Sequence, residues 1–299
     1  YTSLGNILLN LGLKPVFVDV NPETLTIDTE KIAQLITSKT KAIVPVDYAG
    51  LPSDINKIRK IIKGKNIYIV QDSATSMGAN YKGKKVGAVA DFTCFSFYPT
   101  KNITTIEGGA LATNNTKIAE KFRLLSKLGV NASAWKRHQS RTSWFFEVVE
   151  PGLKYYMNDI QSAVGLHQLD NLNKFIATRK KIAQRYYKEL KDTKIISSPY
   201  LEFPVEHVWN FYPIFVNKDI DRNKFMEEME KLGVASSVYY IPMHFHPIFK
   251  KYRGSKKSLV NTEEIFNKVA TLPMYPGLTD ADVSKVISVV KQLNKKLLK

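Results

Sequence analysis

The chain of 299 residues has a single cysteine, Cys94, and lacks any long uninterrupted hydrophobic run. One thiol excludes an internal disulfide framework and a cysteine cluster for a metal ion. No stretch approaches the roughly 18 apolar residues of a membrane-spanning helix. No signal peptide is visible, so we expect no membrane partner and take a cytoplasmic location as the default.

Acidic residues are also scarce: 27 stand against 44 lysines and arginines, which gives a formal net charge of +17. Such an excess of positive charge can attract phosphate-rich partners, including nucleic acid. The lysines are nevertheless dispersed along predicted exposed helix faces, as in residues 57–65 and 174–191, and no RNA- or DNA-binding signature is present. We therefore interpret the charge as a solvated surface that can steer anionic substrates, and we predict no nucleic-acid partner.

The remaining composition is that of an ordinary globular protein, with 44% hydrophobic and 24% charged residues. From Lys14 onward, short apolar runs alternate with helical patterns, which is typical of βαβ units and a parallel sheet. The chain is long enough for two cores. We predict an α/β fold with a large domain over residues 1–190, whose linking helix covers about 158–190, and a smaller C-terminal α+β domain over residues 191–299. In the smaller domain, residues 208–216 and 234–240 are predicted strands.

A strand followed by a lysine-bearing loop occupies residues 91–109. Residues 91–97 have the β-branched and aromatic content of a buried strand, and Pro99 ends it because proline lacks a backbone donor. Lys101 then lies between Pro99 and the pair Gly108-Gly109. A lysine held in a pocket there would be desolvated, which lowers its pKa and makes it a Schiff-base nucleophile. The alternative is an exposed surface lysine, the commonest state of this residue.

An acidic residue, Asp72, follows the short apolar run 67–70 upstream of this loop. In a parallel α/β sheet, ligands bind beyond the carboxyl ends of the strands. A carboxylate that follows buried residues is costly unless it meets a cation, and a protonated pyridine nitrogen is such a cation. Pyridoxal 5'-phosphate (PLP) requires both a lysine and an acid on its ring nitrogen. Lys101 and Asp72 supply one candidate for each role.

Six segments carry a resemblance to a known family. They are KPVFVDVNPETLTID (14–28), IVPVDYAGLPSDI (43–55), QDSATSMGANYKGKKVGAVADFTCFSFYPTKNITTIEGGALATNN (71–115), WFFEVVEPGLKYYMNDIQSAVGLHQL (144–169), PMHFHPIF (242–249) and LPMYPGLTDADV (272–283). With these segments, nearly the whole chain resembles the DegT/DnrJ/StrS family of PLP-dependent sugar aminotransferases. The resemblance implies fold type I of the PLP-dependent transferases, PLP as cofactor, and a homodimer with a shared active site. It also implies amino transfer from glutamate to a nucleotide-linked keto sugar, for amino-sugar or polysaccharide biosynthesis.

The resemblance also implies roles for individual residues. Lys101 would hold PLP and then shuttle a proton between the substrate and the cofactor, while Asp72 would pair with the pyridine nitrogen. Ser96 matches the serine that contacts the cofactor phosphate. Thr75 stands beside the phenolic oxygen, where the family usually has glutamine or histidine. Tyr98 is a candidate substrate-binding group.

Some positions depart from the family pattern. The phosphate contact from the second subunit, often an asparagine, precedes the long helix, and Lys154 and Tyr156 are the candidates here. Lys154 is a chemically sensible phosphate partner. Ile106 and Leu128 stand where glycine and histidine are common. Related sugar dehydratases carry histidine in place of the lysine, so Lys101 favours amino transfer.

Alternatives remain open from the sequence. The chain could be a catalytically impaired homologue with a regulatory or structural role, or a PLP enzyme acting on free amino acids, although no arginine clamp for a carboxylate is identifiable. The family has several dozen residues before the position of Tyr1, including a turn that grips the cofactor phosphate. We expect an N-terminally incomplete chain, with a natural short form as the alternative. His244 and His246 lack a third ligand nearby, so we predict no metal site.

Overall fold

The computed structural model describes residues 1–131, 144–200, 206–254 and 259–298. The described helices are α1 (Thr2–Asn10), α2 (Ile55–Ile61), α3 (Thr116–Leu125), α4 (Asp159–Leu190), α5 (Arg222–Lys231), α6 (Val260–Lys268) and α7 (Asp280–Leu297). The described strands are β1 (Ala42–Ile43), β2 (Tyr68–Asp72), β3 (Asn80–Tyr81), β4 (Lys84–Lys85), β5 (Phe92–Ser96), β6 (Gly109–Ala112), β7 (Ile196–Ser197), β8 (Tyr212–Val216) and β9 (Val269–Leu272). Within these ranges, no helix is both long and apolar enough to cross a membrane.

A four-stranded sheet in the order β1-β2-β5-β6 organises the first half of the chain. Strands β1, β2 and β5 are parallel, and β6 returns antiparallel to β5. Asp72, the last residue of β2, pairs with Cys94, and Ser96 at the end of β5 pairs with Gly109. Because β2 and β5 run in the same direction, Asp72 and the loop after Ser96 meet where the parallel strands have their carboxyl ends. This side of the sheet is called the sheet edge below. The predicted α/β fold with a mostly parallel sheet is confirmed.

The core under this sheet is rich in isoleucine. Asp54 caps α2 by accepting a hydrogen bond from the Lys57 backbone at 3.0 Å, which satisfies a donor that the first turn leaves free. The helix then buries Ile55 and Ile58 against Ile69 of β2. β-Branched side chains of this kind suit the pleated strand that the helix covers. The buried sheet fixes the positions of the strand ends that carry the candidate site.

The long helix α4 connects this core to a second one. Asn158 and Gln161 form a capping box at its start. Leu172 and Ile176 pack into the first core, while Tyr186 and residues near it pack into the second. This helix covers Asp159–Leu190, and its predicted role as the link between two domains stays a prediction. The boundary between residues 190 and 191 stays a prediction.

The second core lies on a three-stranded antiparallel sheet in the order β7-β8-β9. The prediction of a strand over 234–240 was wrong, since Ser237 makes only an isolated bridge to Thr271. Small polar residues in that segment provide little apolar surface for a strand. The place beside β8 is taken instead by β9, all four residues of which are buried. Because β9 follows α6 with no turn residue between them, no sequence signal separates the two elements.

Candidate active site

The Lys101 loop, defined as residues 97–108, leaves β5 and returns to β6. It closes on Phe97, whose N–H donates to the Gly108 carbonyl at 2.9 Å and whose carbonyl accepts from the Thr105 N–H at 3.0 Å. The Thr104 hydroxyl donates to the same carbonyl at 2.9 Å. Within the loop, the Lys101 N–H donates to the Tyr98 carbonyl at 3.0 Å. These bonds hold Lys101 in a compact turn beyond the carboxyl end of β5.

Two backbone features shape the second half of this loop. Ile106 has a φ of +71°, a left-handed conformation that is unfavourable for a β-branched residue. Gly108 has a φ of +149°, and a Cβ there would lie 2.4 Å from the Thr105 hydroxyl. Helix α4 also packs closely against Thr105, as a Cβ on Gly165 would lie 2.8 Å from the Thr105 methyl group. The loop is therefore closely packed on its α4 side.

Lys101 and Asp72 lie within one electrostatic environment. Burial lowers the pKa of the Lys101 amine, and the negative charge of Asp72 opposes this effect. The Asp72 carboxylate is half-buried and accepts a hydrogen bond from the Ala74 N–H at 3.1 Å. Neither side chain has a salt bridge among the described residues. An amine and a carboxylate thus lie near each other at the sheet edge, and no described salt bridge neutralises either charge.

Aromatic rings border the same site. The phenol of Tyr240 has its pKa raised to about 12, mainly by burial and in part by nearby charges that include Asp72. Its ring lies 5.3 Å from that of Tyr1 and 5.1 Å from that of Tyr239, measured between centroids. Sequence analysis did not single out these tyrosines. Spacing could not have found them, because the fold brings Tyr240 to Asp72 from the distant C-terminal part of the chain.

Ser96 is the last residue of β5, and Tyr98 lies between it and Lys101 along the chain. The Ser96 hydroxyl accepts a long hydrogen bond of 3.4 Å from the Tyr98 N–H. Among the described residues, no acceptor takes the proton of this hydroxyl, so it is free to donate to an anion. The Tyr98 side chain is exposed and has room to meet a ligand.

The Thr75 side chain is buried and uses its hydroxyl proton within the protein. Its buried hydroxyl donates to the Asp47 carbonyl at 2.5 Å. The contact of Thr75 with the phenolic oxygen of PLP stays a prediction. Because its own proton is used by the Asp47 carbonyl, the Thr75 hydroxyl could only accept a hydrogen bond there. Asp47 itself was not found from the sequence.

The carboxylate of Asp47 braces the strand end that carries Asp72. It is fully buried, and this burial raises its pKa. It accepts hydrogen bonds from the Gln71 amide at 2.9 Å and from the Ser73 hydroxyl at 2.8 Å. The Ser76 hydroxyl donates to the same oxygen at 2.6 Å. Because Gln71 and Ser73 are the two neighbours of Asp72, these contacts fix the backbone on both sides of it.

Lys154 and Tyr156 lie on the exposed surface just before α4. The Lys154 amine is 5.9 Å from the centre of the Tyr156 ring. In the part of the chain that the structure describes, no hydrogen bond or ion pair joins either residue to Lys101 or Asp72. The neighbouring Asn158 uses its side chain to cap α4, accepting from the Gln161 N–H at 2.9 Å.

The histidine pair of residues 244 and 246 forms no metal site in the described ranges, where no suitable cluster of ligands occurs. His244 is buried, and its Nε2 lies 3.1 Å from the Glu263 carboxylate. Arg253 makes a bidentate contact with the same carboxylate. Glu263 is therefore already occupied by two side-chain partners.

The donor set at the sheet edge fits PLP. A half-buried amine suits the aldehyde, an uncommitted carboxylate suits the protonated pyridine nitrogen, and a serine with a free proton suits the phosphate. Of these, Lys101 and Asp72 are on neighbouring strand ends, which places them around one ligand.

Comparisons with known proteins agree with this arrangement. The model of the DegT/DnrJ/EryC1/StrS aminotransferase family matches residues 1–291. Protein MJ1066 of Methanocaldococcus jannaschii is 42% identical over 98% of this chain and 77% of its own length. The spore coat polysaccharide biosynthesis protein SpsC of Bacillus subtilis is 34% identical over 99% of this chain and 77% of its own.

A solved structure has a similar fold along nearly the whole chain. PseC of Helicobacter pylori, an aminotransferase involved in the biosynthesis of pseudoaminic acid, has a TM-score of 0.91 and 28% identity. The match covers 99% of this chain and 78% of PseC. The chain belongs to the DegT/DnrJ/EryC1/StrS aminotransferase family and is a PLP-dependent transaminase of fold type I.

Proposed function

We propose that this enzyme transfers an amino group from glutamate to a nucleotide-linked keto sugar, in amino-sugar or polysaccharide biosynthesis. The observation that carries the proposal is the convergence of Lys101 and Asp72, both half-buried and uncommitted, at one sheet edge. The names of SpsC and PseC support a sugar product, since both act in carbohydrate biosynthesis. The excess of positive charge favours the approach of an anionic nucleotide sugar.

PLP, when bound, supplies the electron sink for amino transfer. Lys101 would hold it covalently, which the lowered pKa of the amine favours because the neutral amine is the nucleophile. Once released, the same amine would act as the base that takes a proton from the substrate carbon and as the acid that delivers it to the cofactor. Asp72 keeps the ring nitrogen protonated by charge pairing. Ser96 would donate to the phosphate, Thr75 would contact the phenolic oxygen, and Tyr98 would bind the sugar.

We also propose that two copies of the chain share their active sites. A run of apolar side chains before and along the first half of α4 is about half exposed or more, which is typical of an interface. A second copy is the proposed occupant, because the same surface carries the candidate phosphate ligands Lys154 and Tyr156. The two predicted domains, 1–190 and 191–299, belong to each copy. The exposed apolar residues of this surface include Trp144, Phe145, Val148, Val149, Leu153, Tyr155, Tyr156, Ile160, Leu166 and Leu169.

A subunit-mixing experiment tests the shared site. The variants Lys101→Ala and Lys154→Ala should each be inactive or impaired alone. Mixed dimers would contain one site with both defects and one with neither, so activity should recover to about a quarter of the parent value after random exchange of subunits. If both residues act within one chain, mixing will restore no activity. A monomer in light scattering would likewise exclude the shared site.

The chemistry is tested with the PLP-loaded protein. The absorbance band of lysine-bound PLP should form in the parent and in the control variant Lys117→Ala, whose lysine is exposed on α3, but not in Lys101→Ala. Adding glutamate should convert this band, and a panel of nucleotide-linked keto sugars should restore it. Failure to bind PLP would favour a regulatory homologue. Turnover of simple keto acids alone would favour an enzyme of free amino acids and exclude the sugar assignment.

A further inference from the structure

The two residues that flank Lys101 are held by one side chain from a distant segment. The Asn210 amide donates one hydrogen to the Thr100 carbonyl at 3.1 Å and the other to the Asn102 side-chain oxygen at 3.1 Å. Both hydrogens of the amide are therefore used on the lysine loop. Asn210 is 6% exposed and Asn102 is 3% exposed, so water does not compete for these bonds.

Asn102 extends the connection toward Asp72. Its amide donates to the Met77 carbonyl at 3.2 Å. Met77 follows the segment of Ser73 and Ser76 that Asp47 braces. Hydrogen bonds thus run from Asn210 through Asn102 to the segment after β2. The Lys101 loop and the Asp72 strand end are joined through neutral amides.

Asn210 is itself rigidly placed. Its N–H donates to the Ala49 carbonyl at 2.9 Å, and its carbonyl accepts from the buried guanidinium of Arg179 at 2.8 Å. Arg179 also donates to the Met274 carbonyl at 2.9 Å. The backbone of the preceding residue, Trp209, has a φ of +52° and its side chain is fully buried. The amide of Asn210 is therefore a fixed point rather than an adaptable surface group.

We propose that Asn210 is a positioning residue for Lys101, which it serves by fixing the backbone on both sides of the reactive lysine. The inference rests on the proposed role of Lys101. Without Asn210, the Thr100 carbonyl loses its hydrogen bond to the second half of the chain. The described bonds that still tie the loop to the rest of the protein are those of Asn102 to Met77 and of Glu107 to Gln161, and neither holds Thr100. Displacement of a reactive group by about 1 Å can cost roughly 10²-fold in rate.

The variant Asn210→Ala tests this role in the PLP-loaded full chain. We expect kcat for amino transfer to fall by about 10- to 100-fold, with little change in KM for glutamate, since the contact positions the lysine and not the substrate. The pH midpoint of the absorbance band of PLP at Lys101 should also move, by about half a pH unit or more, because the lysine nitrogen bonded to PLP changes its distance from the charge of Asp72. A role in stability alone would not move that midpoint.

Asn217→Ala is the matched control. Its side-chain amide also donates to a carbonyl, that of Lys194 at 2.9 Å, but in an exposed turn away from the lysine loop. This variant should keep the parent kcat and midpoint. Asn102→Ala is the second test variant, and it carries the test if Asn210→Ala does not fold. In a double-mutant cycle, the losses from Asn210→Ala and Asn102→Ala should be less than additive, because the two side chains share one bond.

The outcomes separate the two hypotheses. If Lys101→Ala still attaches PLP covalently, the proposed role of Lys101 is wrong. If attachment depends on Lys101 but folded Asn210→Ala or Asn102→Ala keeps both the parent kcat and the parent midpoint, the positioning role is wrong and the proposed function stands. A fall in kcat with an unchanged midpoint also contradicts positioning.

Discussion

His207 should make the stability of this protein depend on pH in the mildly acidic range. The imidazole is fully buried, its Nδ1 accepts from the Trp209 N–H at 2.8 Å, and its Nε2 lies 3.1 Å from the Tyr200 hydroxyl. Burial lowers the pKa of His207 well below its ordinary value. Protonation of Nδ1 would also remove the acceptor that the Trp209 N–H uses. The folded state therefore keeps this histidine neutral.

The direction of the pH effect follows from proton uptake. In the unfolded chain, a histidine binds a proton below a pH of about 6.5. The folded chain binds none until the pH reaches its lower pKa, so stability is complete above about pH 6.5 and falls below it. The loss is roughly 1.4 kcal/mol per pH unit for one proton, or about 2 kcal/mol between pH 6.5 and 5. It levels off only below the lowered pKa.

Urea unfolding at several pH values between 7.5 and 5 measures this loss. Glutamine at position 207 in the variant His207→Gln cannot titrate, so the free energy of unfolding should fall less steeply with decreasing pH than in the parent. The two slopes should differ by about 1.4 kcal/mol per pH unit. His167→Gln, on the exposed side of α4, controls for the loss of a histidine elsewhere. Burial also lowers the pKa of His244, so that residue adds to the parent slope but cancels in the comparison. Parallel slopes for the parent and His207→Gln would refute the reasoning.

Three further changes have defined outcomes. Ile106→Gly should raise the free energy of unfolding by about 0.5–1 kcal/mol, because relief of roughly 1–2 kcal/mol of left-handed strain exceeds the entropy cost of glycine, and thermal melting will measure it. Arg179→Met should lower that free energy by about 3 kcal/mol or more in urea unfolding, since three buried carbonyls lose their donor and each such loss costs about 1–3 kcal/mol. Asp72→Asn should slow the half-reaction with glutamate by about 10²-fold or more while PLP still attaches to Lys101, as stopped-flow absorbance will show.

Local patterns were sufficient for the parts of the site that lie on one stretch of chain. The strand, Pro99 and the glycine pair predicted the lysine loop, because each acts on its own neighbours. Asp72 was predicted from its place after an apolar run, and the parallel sheet then brought it to the loop. The departure at Ile106 was visible in the sequence, but its left-handed backbone was not.

The residues that sequence analysis missed act across long separations. Asn210, Tyr240 and Asp47 have no motif of their own, and their roles depend on the docking of one segment against another. The prediction of a strand at 234–240 was wrong for the same reason. The strand that pairs with β8 is β9, and the sequence alone does not show that this buried run would pack there.

The division of labour between charged and neutral groups explains why this site can serve a cofactor. Asp47, Asn102 and Asn210 hold the two strand ends through hydrogen bonds with neutral donors. Had Lys101 and Asp72 been fixed by salt bridges to other side chains, their charges would be satisfied before any ligand arrived. Because the holding contacts do not use the amine of Lys101, both charges remain available for a ligand. This availability, together with their partial burial beside one another, distinguishes the pair from the exposed lysines and acids of the chain.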